Sequence, residues 1–599
     1  MHVENGELRR HAAELGVAVS YWDWQGREVT VPDETLAAIV AVLEDAPPAD
    51  GSFAASEAVA PAPAQRSWGF AVQLYSLRSR NSWGFGDLRD LADLAAWSAR
   101  ELGAGFVLIN PLHAAEPLPP ISASPYLPMS RRWVSPLYLR IEDIPEYQDL
   151  SDPERRRVAQ LSQPLRDASQ TPALIDRDAV WTAKREALDM LRKVPLSDTR
   201  QAAFDTFRAA HGQSLADWAA WCALAEVHGP DYRAWPESLR DPRSAETEVQ
   251  RGDLATQAEF HTWVQWLVLS QVAAAQAAAR EAGMAIGVIA DLAIGAHPGG
   301  ADAWATQEYF ARGFTVGAPP DGFNQRGQDW GLPPMHPRAV AAAGYRPLAD
   351  LINANLSLGG GLRIDHVMGL SRLWWIPAGA PPTEGAYVYY DAAGTLGTLA
   401  AAAAGSIVVG EDLGTVEPWL REALAARGVL GTQMLWFERG WSDEPLAPQW
   451  WRENSLVTVS THDLPPAAAF LSGSQVTDRL NLGLLTRPEA EERAESERTV
   501  NDWIGALVEQ GLLPAGERPT ADEFTVGLYA YLARTPARLI GVNLAEATGE
   551  TRSQNMPGTC EEYPNWRLPL CGRDGHPVLL EDLATNALVS AVARAASGA

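Results

Sequence analysis

From residue 70 onward the chain repeats one pattern. A short apolar run rich in Val, Ile and Leu alternates with a longer Ala-rich stretch whose apolar residues fall three and four apart. The runs are FAVQLYSL (70–77), GFVLINPL (105–112), AIGVIADL (285–292), GLRIDHV (361–367), SIVVGEDL (406–413), TQMLWFE (432–438), SLVTVSTHD (455–463) and RLIGVNL (538–544). They are too brief for helices and have the β-branched content of buried strands. Stretches between them, such as LRDLADLAAWSARELG and VEPWLREALAARG, have helical periodicity. Alternating strand and helix predicts an α/β protein with a parallel sheet, and eight such units predict a (β/α)8 TIM barrel, although a doubly wound sheet can be drawn from the same runs. The polar residues favour the barrel. Asp291, Asp365, Glu411, His462 and Asp463 stand at the C-terminal ends of their runs, the face on which barrel enzymes assemble their sites.

Residues 1–46 follow another rhythm. GELRRHAAELGV and VPDETLAAIVAVLEDA are both amphipathic, and the second opens on Asp33 with acid in its first turn, so a small helical unit is expected. Residues 47–67 are Ala, Pro and small polar residues without periodicity, the composition of a linker. The catalytic barrel is then expected over 68–599. Its second and third runs are separated by a long excursion, about 113–284, containing DAVWTAKREALDMLRKV and QAEFHTWVQWLVLSQVAAAQAAAREAG. This predicts a helical insertion subdomain whose final helix can belong to the outer ring of the barrel.

Composition narrows the function. With 599 residues, 46% apolar content and 23 tryptophans, the chain describes a well-packed large domain rich in the flat faces that suit sugar rings. A formal net charge of −27, with no concentration of Lys and Arg, argues against nucleic acid as a partner. Cys222, Cys560 and Cys571 are scattered, without zinc or disulfide spacing, and read as reduced thiols. MHVENGELRRHAAELG has no apolar signal core, and no stretch approaches the ~18 apolar residues of a membrane span, so a cytoplasmic protein without membrane attachment is expected. The histidines show no i, i+4 pairing with an acid, and neither a metal nor a cofactor is expected.

The segment LGGGLRIDHVMGLSRLWW (358–375) poses the chemical question: why does a buried strand carry Arg363, Asp365 and His366 at its tip, when burying unpaired charge is costly? Period-two alternation turns Arg363 and Asp365 to the same side, so the guanidinium favours an ionised Asp365 and holds it as a nucleophile. Glu411 has no such partner and shares the site with other acids; its pKa is expected to rise, which suits a proton donor. Asp365 and Glu411 follow consecutive strands and Asp463 the next but one, close enough to converge on one substrate atom. Paired carboxyls about 5 Å apart are what a retaining glycosidase requires, so the constellation points to glycosyl transfer or hydrolysis. Taken singly, each motif has a plainer explanation: a structural Arg–Asp pair, or Glu411 and Asp412 favouring a helix N-terminus. The glycine run before Arg363 is not a phosphate loop, because no Lys-Ser/Thr follows it and it leads into a strand.

GLRIDH, VVGEDLG and STHD, with IADLAIG ahead of them, resemble the four ordered sequence regions of the α-amylase clan. Joined by SPYLPMSRRWVSPLYL (124–139), GAPPDGFNQRGQDWGLPPMHP (317–337) and NMPGTCEEYPNWRLPL (555–570), they resemble in detail the 4-α-glucanotransferases of glycoside hydrolase family 77, over about residues 67–580. The resemblance implies Asp365 as nucleophile, Glu411 as general acid/base and Asp463 as the acid that grips sugar hydroxyls while the ring distorts. It implies Asp291, Arg363, His366 and His462 around the donor sugar, and Tyr126, Gln328 and Trp330 in the substrate cleft. The partners it implies are α-1,4-glucans (maltooligosaccharides, amylose, glycogen-derived chains) as donor and acceptor, with glucose as a further acceptor. Two positions depart from the pattern: Met335 stands where many members carry an aromatic, and Leu464 follows THD where many carry a polar residue.

Hydrolases and transferases share their chemistry up to the glycosyl-enzyme and differ in whether water or a sugar hydroxyl attacks it. The stretch 317–337, dense in Gly and Pro with Phe323 and Trp330 among them, reads as a stiff lid that favours transfer. An α-1,4-glucan hydrolase is the alternative. A noncatalytic glucan-binding protein on a degenerate barrel is a third reading, weakened by the presence of all three carboxylates.

Overall fold

A computed structural model describes residues 2–23, 25–46, 55–320 and 326–598. All eight runs become strands of one parallel sheet: β1 (Ser67–Val72), β2 (Phe106–Ile109), β3 (Gly287–Leu292), β4 (Gly361–Ile364), β5 (Ile407–Gly410), β6 (Gly431–Met434), β7 (Ser455–Thr458) and β8 (Leu539–Asn543). Each strand neighbours its sequence successor, and β8 returns to pair with β1. Between β5 and β6 the circle is completed by a parallel bridge from Val409 to Leu430, where the Gly410 N–H donates to Leu430 O at 2.7 Å and the Leu430 N–H to Val408 O at 2.9 Å. Closure in sequential order makes this a (β/α)8 barrel and excludes the doubly wound sheet.

The strands are shorter than the runs that foretold them. TQMLWFE leaves the ladder at Met434 for a 3-10 turn over Leu435–Phe437, and His462 and Asp463 lie in a loop beyond Thr458. Side chains alternate inward and outward along each strand. Phe106, Ile289, Ile407, Val409, Leu456 and Leu539 pack together as the barrel's inner core, while Val288, Ala290, Leu362, Ile364 and Val408 belong to the main core around it. Register places Arg363 of β4 opposite Asp291 of β3 and Val409 of β5. Two residues on, about 6.6 Å higher at 3.3 Å per residue, come Asp365 and Glu411. The interior therefore changes from apolar at its floor to ionisable at its mouth. The glycines ahead of β4 have a steric role: a Cβ on Gly360 would stand 1.8 Å from Ile286 O, and one on Gly359 2.2 Å from Val288 O.

The excursion between β2 and β3 contains the helices Asp152–Ser169, Arg177–Leu191, Asp198–His228 and Ala255–Glu281. The last packs along Leu88–Leu102 of the outer ring. Trp133, Trp218, Trp221, Trp235 and Trp304 form a separate aromatic core on this side. Periodicity did not disclose a second sheet, antiparallel, of Phe314–Ala318, Gln328–Leu332, Arg372–Pro377 and Ala386–Tyr389. Its strands come from both sides of β4, so SRLWW, which reads as a continuation of the GLRID run, in fact belongs to another layer; the chain turns at His366, whose φ of 46° is left-handed.

The N-terminal helices His2–Glu14 and Asp33–Asp45 flank a small hairpin, Ser20–Trp22 with Glu28–Thr30. Val17 pairs with Val388, flanked by bonds from the Tyr389 N–H to Gly16 O and the Ala18 N–H to Tyr387 O, both 2.8 Å, so this segment adds a short rung to the second sheet. Leu36, Ile39, Val40 and Leu43 share one core with Trp374, Trp375 and Leu332. Residues 47–54 of the expected linker lie outside the described residues. Among the described residues no helix is long and apolar enough to cross a membrane.

Candidate active site

The loops at the barrel mouth enclose a cleft of about 1510 Å³. Asp365, His366, Glu411, His462, Asp463, Tyr126, Gln328 and Trp330 all line it. Asp291 and Arg363 lie one layer lower and border a small cavity of about 80 Å³ inside the barrel, which His462 also touches. The ten residues singled out from the sequence thus gather in two storeys around one axis.

Arg363 is the post between them. Its Nη1 donates to both oxygens of Asp291, at 2.7 and 2.9 Å, and its Nη2 lies 3.1 Å from Asp365 Oδ1. The first contact follows from the strand register, which sets the two side chains opposite each other; the second follows from the two-residue repeat along β4. Burial pulls the guanidinium pKa down, but the flanking carboxylates more than restore it. Asp291 also accepts the Tyr126 hydroxyl at 2.7 Å. Burial pushes the Asp291 carboxyl up, against the lowering effect of Arg363.

Glu411 occupies the position on β5 that matches Asp365 on β4, since Gly410 and Ile364 are register partners. Where the sequence led one to expect no guanidinium partner, backbone donors hold its carboxylate: Oε1 accepts the Leu413 N–H at 2.8 Å and Oε2 the His366 N–H at 2.9 Å. Those bonds and Arg363 favour ionisation, yet burial, followed by the negative charge of Asp365, prevails and pushes its pKa up to about 7. The left-handed His366 is what swings its N–H onto Glu411. Such a backbone costs a non-glycine residue about 1–2 kcal/mol. The His366 ring meets Trp330 edge-on, centroids 5.2 Å apart, and burial holds its pKa down at about 4.

Asp463 stands across the cleft. Its Oδ2 lies 3.3 Å from His462 Nε2, and its Oδ1 accepts from Asn555 Nδ2 at 2.7 Å. Asp463 is exposed to the cleft, and although desolvation opposes its ionisation, His462 and Asn555 lower its pKa to about 2. Burial likewise works against the His462 cation, and the charge and hydrogen bond of Asp463 raise its pKa nonetheless. Tyr126 stacks on the His462 ring with centroids 4.8 Å apart, and Trp566 closes the group at 5.4 Å from Tyr126 and 5.2 Å from His462. Trp566 too has a left-handed backbone, φ 61°.

Asn555 and Trp566 were not singled out in advance. The signal was present, because both lie in NMPGTCEEYPNWRLPL, but only the fold folds that segment back onto the THD loop. On the opposite wall Gln328 and Trp330 sit on a strand of the second sheet, the Trp330 Nε1–H donating to Gln328 Oε1 at 3.2 Å. Part of the expected lid is therefore sheet. Phe323 lies outside the described residues. Of the two departures, Met335 uses its carbonyl to accept the Tyr390 hydroxyl at 2.6 Å, and Leu464 borders the inner cavity.

A parallel eight-stranded barrel whose mouth presents carboxylates on adjacent strands, among aromatic rings and in a long open cleft, defines a carbohydrate-active enzyme of the α-amylase type. Residues 72–573 match the family model described as 4-alpha-glucanotransferase. The chain is 52% identical over 549 residues to the 4-alpha-glucanotransferase of Mycobacterium tuberculosis, covering 89% of this chain and 75% of that protein. With the enzyme of the same name from Haemophilus influenzae it shares 33% identity over 535 residues, 84% of this chain and 75% of the relative. The crystal structure of amylomaltase from Corynebacterium glutamicum superposes with a TM-score of 0.90 at 35% identity, over 99% of this chain and 100% of that one. The chain belongs to glycoside hydrolase family 77, the 4-α-glucanotransferases.

Proposed function

We propose that the chain transfers maltooligosaccharyl units between α-1,4-glucans by a retaining double displacement. Maltooligosaccharides, amylose or glycogen-derived chains serve as donor and acceptor, glucose is a further acceptor, and the reaction takes place in the cytoplasm. In the first step Asp365 attacks the anomeric carbon while Glu411 protonates the departing glycosidic oxygen, forming a glycosyl-enzyme and a shortened glucan. In the second step Glu411 takes the proton from an acceptor hydroxyl as that oxygen displaces Asp365. Asp463, kept ionised by His462, hydrogen-bonds sugar hydroxyls most strongly as the ring flattens. Asp291 and Arg363 form the floor beneath the donor sugar, and Tyr126, His366, His462, Gln328 and Trp330 contact the glucan in the cleft.

One observation carries this reading. Asp365 and Glu411 stand at matched positions on neighbouring strands in unlike surroundings: Arg363 braces one, while burial and the charge of that neighbour leave the other with a pKa of about 7. Similar acids thereby receive different tasks. Incubation with maltotriose tests it. A ladder of longer oligomers plus glucose, with a constant number of reducing ends, is the expected outcome. A rising number of reducing ends would assign the hydrolase instead, and unchanged maltotriose would remove the proposal.

A further inference from the structure

The loop from Ser460 to Ala467 carries His462 and Asp463, and the carboxylate that secures it comes from a different strand. Glu546 lies on the short helix Leu544–Thr548 directly after β8 and is only 2% exposed. Its Oε1 accepts two hydrogen bonds, from Ser460 Oγ at 2.9 Å and from the Ala467 N–H at 3.0 Å. These are the two ends of the loop. Its other oxygen accepts the Tyr529 hydroxyl, which in turn accepts the Asn543 N–H at 3.0 Å; Asn543 Nδ2 donates to Ser460 Oγ at 3.2 Å. Each polar atom in this knot has a partner, and the ring of bonds ties the end of β8 to the loop after β7.

We propose that Glu546 is a positioning residue for the transfer reaction, holding Asp463 and His462 at the donor sugar by clamping both ends of their loop. The chain between the clamped ends includes Pro465 and Pro466, whose fixed φ angles leave little freedom of their own. On the cleft side the loop meets the 555–566 segment, through the His462 carbonyl that accepts the Asn555 N–H at 3.0 Å and the bond from Asn555 to Asp463, and the Tyr126 ring stacked on His462. Without the carboxylate, the ends of the loop lose their common anchor, Ser460 and the Ala467 N–H lose a buried acceptor, and Asp463 shifts relative to the anomeric carbon. A misplacement of about 1 Å at a reacting centre costs about 100-fold in rate.

This inference rests on the proposed role of Asp463, and the test separates the two. Steady-state transfer from maltotriose is measured for Glu546→Ala, Glu546→Gln and Asp463→Asn, with rates expressed per folded molecule from circular dichroism. Glu546→Ala is expected to lower kcat about 10- to 100-fold with little change in KM, because the loop acts on ring distortion more than on ground-state binding. Glu546→Gln keeps an oxygen for Ser460 and Ala467 and is expected to recover most of the rate. A normal kcat in Glu546→Ala, or equal damage in both Glu546 variants, overturns the inference. If Asp463→Asn is inactive while Glu546→Ala is normal, only the clamp falls; if Asp463→Asn turns over normally, the site assignment falls and takes the clamp with it. Should Glu546→Ala not fold, Ser460→Ala removes one anchor alone and must still lower kcat with KM held; parental kcat in that variant overturns the clamp.

Discussion

Replacing Glu411 by Gln separates its proton from its shape. The carboxyl has a pKa of about 7 in the folded protein against an ordinary value of 4.5, raised by burial and then by Asp365. Because the folded-state value is raised, this group's contribution to stability is complete below about pH 4.5, declines between 4.5 and about 7, and is gone above that. The difference corresponds to about 3 kcal/mol. Glutamine has no such titration, so the pH slope of unfolding free energy between 5 and 8 is expected to flatten. The amide has only one oxygen for the N–H groups of Leu413 and His366, which leaves a buried donor unpaired at a cost of about 1–3 kcal/mol. At pH 5 the variant is therefore expected to be the less stable protein, and by pH 8 the gap narrows or reverses. Urea unfolding at both pH values reads this out. Turnover of maltotriose should fall about 100- to 10,000-fold with the loss of the general acid. The descending limb of the kcat/KM profile, expected near pH 7 in the parent from the raised Glu411 pKa, should disappear. A maltosyl donor with a fluoride leaving group needs no protonation and should still form the glycosyl-enzyme in the variant. Transfer at near-parental rate from maltotriose, or an unchanged pH slope of stability, would refute the assignment of a proton-holding Glu411.

Three further outcomes follow from the same geometry. Asp365→Asn removes the nucleophile, so turnover should drop by orders of magnitude and mass spectrometry should detect no glycosyl-enzyme even with the fluoride donor; a covalent adduct in that variant contradicts the mechanism. Trp330→Ala takes one aromatic face from the cleft wall, and a loss of about 1 kcal/mol in binding would raise KM about fivefold with kcat largely preserved; an unchanged KM would move the glucan off that wall. Leu43→Ala opens a cavity in the core that the N-terminal helices share with the second sheet, at a cost of about 2–5 kcal/mol in urea unfolding, and a change below about 0.5 kcal/mol would mean that this core does not unfold with the domain.

The sequence by itself determined the eight strands and which acids stand at their ends, while closure into a barrel rather than a doubly wound sheet came from the pairing of β8 with β1 and of β5 with β6. Eight apolar runs became eight strands, because a strand buried on both faces has to be apolar along its length and only its open end can carry charge. GLRID placed Arg363 and Asp365 on one side, because side chains alternate along a strand whatever surrounds them. Periodicity could not reveal the second sheet, whose strands approach β4 from both directions in the chain; its pairing is settled by contacts distant in sequence. Nor could it show that Asn555 and Trp566 fold back onto His462 and Asp463, that Arg363 divides itself between Asp291 and Asp365, or that Glu546 ties both ends of the THD loop. Local sequence fixes which way a side chain faces, whereas its partner, its burial and therefore its pKa depend on what the rest of the chain brings beside it, and only the tertiary structure decided that.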